Sequence, residues 1–177
     1  NIAAPHNVFT SIEDLEMTAS SKGYSTTSDN YSLLNYTPDE VNFNATSDLL
    51  TANNISMTYS NSQVRSYTYD ATNRYYLRYM NNNPHTDKSS GVQYHYKNII
   101  IMKVNNYTLD SYGRQDLDTV GNGEGYYITN GYAIPITWSK DSRSGKTHYY
   151  YRGNELVVSD GNTMIQVVPV NSNITFS

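Results

Sequence analysis

Few side chains in this 177-residue chain fall into a pattern that could do chemistry. His6 and Asn7 stand side by side in Pro5-His6-Asn7, just ahead of a helix signal. An imidazole and an amide there could hold an anionic group, although residues at a helix start more often hydrogen-bond their own loop. His85-Thr86-Asp87 falls between two strand-like runs, where alternation points the His and Asp side chains the same way. That suits a hydrogen-bonded His–carboxylate pair or two metal ligands. With no third ligand in view, a pair that stabilises its own turn is the plainer reading. Glu124, inside Gly121-Asn122-Gly123-Glu124-Gly125, is a candidate acid or ligand with no partner at a known distance. Trp138 is the sole indole; it closes an alternating run and reads as a core anchor, with a surface platform as the alternative.

The usual signatures are missing. The glycines around Glu124 are followed by Tyr126-Tyr127-Ile128-Thr129, a strand pattern, whereas a phosphate cradle needs a helix whose first N–H groups face the anion. There is no Gly-x-Ser-x-Gly elbow, Ser-x-x-Lys, His-Glu-x-x-His or calcium loop. The absence of cysteine excludes a disulfide framework, a thiolate metal site and a cysteine nucleophile. No cofactor is expected. Twelve Lys and Arg against 16 Asp and Glu give a net charge of −4, and the basic residues are scattered. Neither nucleic acid nor an anionic membrane surface is therefore an expected partner. No apolar run reaches the length of a membrane span, so direct insertion by this segment is not expected.

Local patterns say which elements carry these residues. Thr10 followed by Glu13 has capping-box spacing, Ile12, Leu15 and Ala19 recur at helical intervals, and Lys22-Gly23 is a stop. A helix over about 11–22 follows. Residues 24–54 are rich in Ser, Thr, Asn and Asp and read as loop with one or two short helical turns, one of them at Thr37-Pro38-Asp39-Glu40. Beyond Asn54 the period changes to two, with strand-like runs around Ile55–Tyr59, Val64–Tyr69, Tyr75–Tyr79, Asn98–Val104, Tyr126–Thr129, Tyr132–Ser139, Thr147–Arg152, Glu155–Ser159 and Met164–Val168. Asn130-Gly131 is a sharp hairpin signal because both turn residues need positive φ. Gly153-Asn154 and Asp160-Gly161-Asn162 mark further turns. The fold expected is α+β: a predominantly antiparallel β body over about 55–170, with the helical segment of residues 1–54 packed on it as one compact unit. Nineteen of the 23 aromatic residues are Tyr. Alternation gathers Tyr67 with Tyr69, Tyr75 with Tyr79 and Tyr94 with Tyr96, as packing pairs with hydroxyls at the solvent boundary or as a platform for a sugar or peptide.

One set of residues carries a family resemblance. Ala4-Pro5-His6-Asn7, Asn98-Ile99-Ile100-Ile101, Gly121-x-Gly123-x-Gly125, Ile128-Thr129-Asn130-Gly131, Ile134-Pro135-Ile136-Thr137-Trp138-Ser139-Lys140, Thr147-His148-Tyr149-Tyr150 and Gly161-Asn162-Thr163-Met164-Ile165-Gln166 together resemble the YerB-like lipoproteins, a bacterial family of unknown function. Met164 departs from the pattern, which tends to show Trp there. The resemblance singles out His6, Asn7, Asp87, Asn98, the three glycines and Trp138. It implies an extracytoplasmic chain, at the cell surface or membrane-anchored through a lipidated N-terminus, with a further domain upstream. Hydroxyl- and amide-rich composition and the lack of thiols agree with that setting.

Together these readings favour a non-enzymatic domain that binds a cell-wall component or an envelope protein, with the upstream domain of the same lipoprotein as another partner. The rival is an envelope hydrolase drawing acid and base groups from His6, His85, Asp87 and Glu124, which requires those residues to converge.

Overall fold

The structure, a computed structural model, describes residues 9–27, 32–43 and 47–177. His6 and Asn7 lie outside the described residues. The chain divides into two units, Asn1–Ser32 and Leu33–Ser177.

The first unit carries the expected helix, Ile12–Ser21, but its cap sits one residue later than the spacing suggests: the Ser11 hydroxyl accepts the Asp14 N–H at 3.1 Å. None of its residues is buried, and Ile12, Leu15 and Met17 are all exposed.

Among its described residues the second unit contains nine strands of four or more residues: β1 (Asn54–Ser60), β2 (Gln63–Asp70), β3 (Tyr75–Met80), β4 (Asn98–Val104), β5 (Gly121–Thr129), β6 (Tyr132–Lys140), β7 (His148–Tyr151), β8 (Thr163–Pro169) and β9 (Asn173–Phe176). They form two sheets. The larger runs Asn154–Glu155, β7, β6, β5, β4, β8, with Leu50–Thr51 also against β6; the smaller runs β9, β1, β2, β3, with Asn83–Pro84 and His95–Tyr96 against β3. The expected α+β class is thereby corrected to a mostly β, sandwich-like fold with mixed sheets. Among the described residues a single ten-residue helix with no buried residue supplies no helical layer, and β8 joins β4 in parallel rather than antiparallel. The Thr37-Pro38 helix signal is overridden as well. Asn35–Thr37 is instead a short strand parallel to Val157–Ser159, and no helix lies between residues 24 and 54 among the described residues.

Strand alternation explains the core. In β4, Ile99 and Ile101 face the smaller sheet and join Ile55, Met57, Tyr67, Tyr76, Ile128 and Val168. Its other residues, Ile100, Met102 and Val104, face the opposite way and pack with Tyr127, Ile134, Ile136, Trp138, Leu34, Leu156 and Val158. Both faces are thus covered, which is why Ile99-Ile100-Ile101 reads as an unbroken apolar run rather than an alternating one. Asn130 and Gly131 join β5 to β6 with φ of 52° and 81°, as the two-residue hairpin requires. The later turn at the end of β7 is carried by Arg152 and Gly153, with φ of 50° and 80°, one residue ahead of the pair the sequence suggested.

Charged and amide side chains tie the segment before β1 to this hairpin. The Lys97 ammonium lies 2.7 Å from Glu40 Oε1 and 2.7 Å from Asn130 Oδ1, and Arg74 bonds the other Glu40 oxygen. The Lys97 hydrogen bond and charge hold the Glu40 carboxyl below its ordinary pKa, against a desolvation that pushes it up. A depressed carboxyl pKa contributes stability above its unfolded value and loses it as pH falls through the folded value. Glu40→Gln is expected to cost about 1 kcal/mol near neutral pH, since water still screens the trio. The difference from the parent should vanish in acid, as followed by denaturant unfolding across pH.

Candidate functional site

The smaller sheet covers only part of the larger one, and burial along β6 shows where the cover ends. Ala133, Pro135 and Thr137 share one face; Ala133 is buried against the smaller sheet, whereas Pro135 and Thr137 are exposed. Register extends this open stretch sideways. Glu124 pairs with Thr137, Thr137 with Tyr150, and Tyr150 with Glu155. The result is a groove of about 320 Å³ whose floor includes Lys103, Glu124, Tyr126, Pro135, Thr137 and Tyr150, with Arg152 at its side. Tyr126 also closes the sandwich edge, meeting Phe176 edge-on at 4.9 Å between centroids. Next to Tyr150, the His148 ring stacks at 6.4 Å, and its Nδ1 lies 3.0 Å from Glu155 Oε1. Arg152 is shared with Asp48 at 2.7 Å, which raises the guanidinium pKa further and fixes its charge.

This arrangement can bind rather than merely pack. Two tyrosine rings offer flat apolar faces with polar ends, and the lining also holds cations at Lys103 and Arg152 and a carboxylate at Glu124. The volume falls in the range of small-ligand sites.

Of the residues the sequence put forward, only Glu124 lies here. Asp87 turns its oxygens into its own loop, accepting from the Ser89 N–H at 3.0 Å, the Ser90 N–H at 2.7 Å and the Ser90 hydroxyl at 2.9 Å; these bonds lower its pKa. His85 is paired beside β3 in the smaller sheet and packs on Tyr94 at 4.7 Å. Burial first, then the charges of Arg78 and Arg65, lower its pKa. Asn98 is fully buried: its amide donates to the Ser159 carbonyl at 2.8 Å and accepts from the Tyr127 hydroxyl at 3.0 Å. Trp138 is 3% exposed, lies against Gly123, and donates its indole N–H to the Lys103 carbonyl at 3.1 Å. Among the described residues no three His, Asp or Glu side chains gather as a metal site would require.

Sequence reasoning passed over Lys103, Tyr126, Tyr150, Arg152 and the His148–Glu155 pair. Alternation does place Glu124 with Tyr126 along β5, and Pro135 with Thr137 along β6, and the register then puts both pairs on one face of the sheet. That β4 and β7 bring Lys103 and Tyr150 beside them depends on strand neighbours that no local pattern encodes. The tyrosines divide differently from expectation too. Tyr67, Tyr76 and Tyr127 are fully buried with hydroxyls bonded inside, and desolvation pushes their pKa values up. Desolvation likewise carries Tyr149 to about 12.

Comparison with known proteins agrees with the resemblance. The chain is 27% identical over 168 residues to a Bacillus subtilis (strain 168) protein named "Putative lipoprotein YerB"; the match covers 93% of this chain and 48% of that one. The chain thus spans about half the length of the curated relative it matches. The crystal structure of YerB protein from Bacillus subtilis superposes with a TM-score of 0.76 at 24% identity, over 98% of this chain and 57% of that one, so the fold is shared. No helix among the described residues is long and apolar enough to cross a membrane. Residues 55–165, spanning β1 to the early part of β8, match the model of the C-terminal domain of a protein family of unknown function, DUF3048, and the chain belongs to that family.

Proposed function

We propose that this chain is a non-catalytic binding domain of a bacterial envelope lipoprotein, acting outside the cytoplasm, and that its groove takes an extended stretch of cell-wall polymer. The carrying observation is the uncovered part of the larger sheet, where Tyr126 and Tyr150 supply flat faces and Lys103, Arg152 and Glu124 supply both signs of charge. Wall glycopeptides present the matching chemistry: sugar rings that stack on aromatic faces, and peptide amines and carboxylates that pair with a mixed-charge rim. The relation to a named lipoprotein supports the location. A hydrolase drawing on His85, Asp87 and Glu124 is less well supported, because Asp87 is committed to its own turn and His85 belongs to the other sheet.

A second occupant is favoured by one fact, the 52% of the relative's length that lies outside the match, leaving room for an upstream domain to cover the groove. Titrating the purified chain with soluble peptidoglycan fragments by calorimetry separates the readings. Saturable binding, weakened roughly 3- to 10-fold by Tyr150→Ala and again by Glu124→Gln, is the expected result. Absence of saturable binding to every wall fragment overturns the wall reading. Binding that appears in this chain and disappears in the longer protein identifies the upstream domain as the groove's cover.

A further inference from the structure

A cluster of basic side chains lies on the smaller sheet, at the margin of its inner face and independent of the groove. One row across that sheet runs Phe176, Ile55, Tyr67 and Arg78 through successive strand pairings, and the His85 N–H donates to the Arg78 carbonyl at 3.0 Å, adding His85 to its end. Two residues before Tyr67, and so on the same face of β2, stands Arg65. The edge strand β8 of the larger sheet reaches this region through two contacts. The Tyr67 hydroxyl donates to Gln166 Oε1 at 2.9 Å, and the Tyr59 hydroxyl donates to the Val167 carbonyl at 2.7 Å.

The chain carries 16 carboxylates against 12 cations, yet among the described residues neither Arg65 nor Arg78 forms an ion pair. Arg65 is steered by neutral groups only, the Val64 carbonyl at 3.0 Å and Gln63 Oε1 at 2.6 Å. Arg78 Nε and His85 Nδ1 are both buried and have no hydrogen-bond partner. Both guanidiniums act electrostatically on His85 and on the Tyr59 hydroxyl, so the four groups share one neighbourhood. Asp87, the carboxylate next along the chain, is spent on Ser89 and Ser90. Buried donors are normally paired, and a pair of guanidiniums facing an imidazole without a counter-charge is an arrangement that an incoming anion completes.

We propose that Arg65, Arg78 and His85 form a binding site for an oxyanion, a phosphate or carboxylate group, at the edge of the smaller sheet. Arginine forks bind two oxygens of one such group at once, and the imidazole contributes a further donor when it takes up a proton.

The test is a titration of the isotopically labelled chain, followed by NMR of the arginine Nε–H and histidine ring signals. Inorganic phosphate and acetate are the two probes, with ionic strength held constant by sodium chloride. Saturable shifts centred on Arg65, Arg78 and His85 are expected, together with a rise of the His85 pKa toward the ordinary histidine value as the bound anion offsets the two guanidiniums. Saturation by phosphate alone assigns the site to a phosphate group, and saturation by acetate to a carboxylate. Arg78→Gln and Arg65→Gln should each weaken the response by about tenfold or more, and Lys146→Gln should not. Arg65, bonded to neutral groups near its own strand, gives a folded variant even where Arg78→Gln destabilises. A response no larger than that of chloride, or saturable shifts that survive both arginine substitutions, overturns the proposal.

Discussion

Gly125→Ala is expected to destabilise the domain by about 3–5 kcal/mol, lowering the unfolding midpoint by roughly 10 °C in a chain of this size. The reason is a close approach of backbone to backbone. Gly125 lies mid-strand in β5 between Met102 of β4 and Ile136 of β6, and a Cβ there would stand 2.0 Å from the Ile101 carbonyl oxygen. A side chain that clashed could rotate aside, but this oxygen belongs to the central strand, which is buried on both faces. The strand must therefore shift and give up part of its ladder. Gly123→Ala should cost less, about 1–2 kcal/mol, because its Cβ meets the Trp138 ring, 2.7 Å from Nε1, and a ring can tilt at the expense of its bond to Lys103. Gly145→Ala, whose Cβ meets only Ser142 atoms at 3.1 Å or more, should stay within about 1 kcal/mol. Denaturant unfolding of the three variants gives the order. An undisturbed Gly125→Ala would remove the close approach as the reason for that residue.

Asn98→Ala is expected to cost about 3–4 kcal/mol by the same measurement, with a large share arising from groups left without partners rather than from lost packing. The Asn98 amide donates to the Ser159 carbonyl, its oxygen accepts from Tyr127, and the Tyr127 hydroxyl in turn accepts the Ser159 N–H at 3.0 Å. All three residues are buried, so no water replaces what the substitution removes. Tyr127→Phe strands the Ser159 N–H and the Asn98 oxygen and should cost about 2 kcal/mol. The double variant should cost clearly less than the sum of the two, since each change breaks the same small network. Strict additivity would show the three groups to be independent.

The contrast between these residues and the groove shows what a single chain discloses. The Asn130-Gly131 turn was legible because its chemistry is local: only residues tolerant of positive φ close a two-residue hairpin, and both adopt it. The β4 run was legible as an interior strand because Ile99-Ile100-Ile101-Met102 is apolar at four successive positions, and the family could be read from Asn98-Ile99-Ile100-Ile101 onward. The helix over Ile12–Ser21 was legible too, through the spacing of Ile12, Leu15 and Ala19 and the Lys22-Gly23 stop, but those signals describe the helix alone and say nothing of whether its apolar side is covered. The α+β expectation failed on that step.

The glycines teach the same distinction from the other side. Of the three glycines that the family pattern contains, Gly121 has φ of 120°, whereas Gly123 and Gly125 are small because Trp138 and the Ile101 carbonyl occupy the space a Cβ would need.

By itself the sequence determined strand content, the main hairpin, the two-sided apolar strand and the family, all of which follow from residue order and short-range sterics. The tertiary structure alone decided that β8 lies parallel to β4, about 60 residues away in the chain, and that the smaller sheet covers only part of the larger one. It also decided that Tyr126 and Tyr150 line a groove on one sheet and that Arg65, Arg78 and His85 lie close together on the other. Alternation assigns each residue a face but not the strand beside it, and both candidate sites are made of neighbours that only the closing of the sandwich brings together.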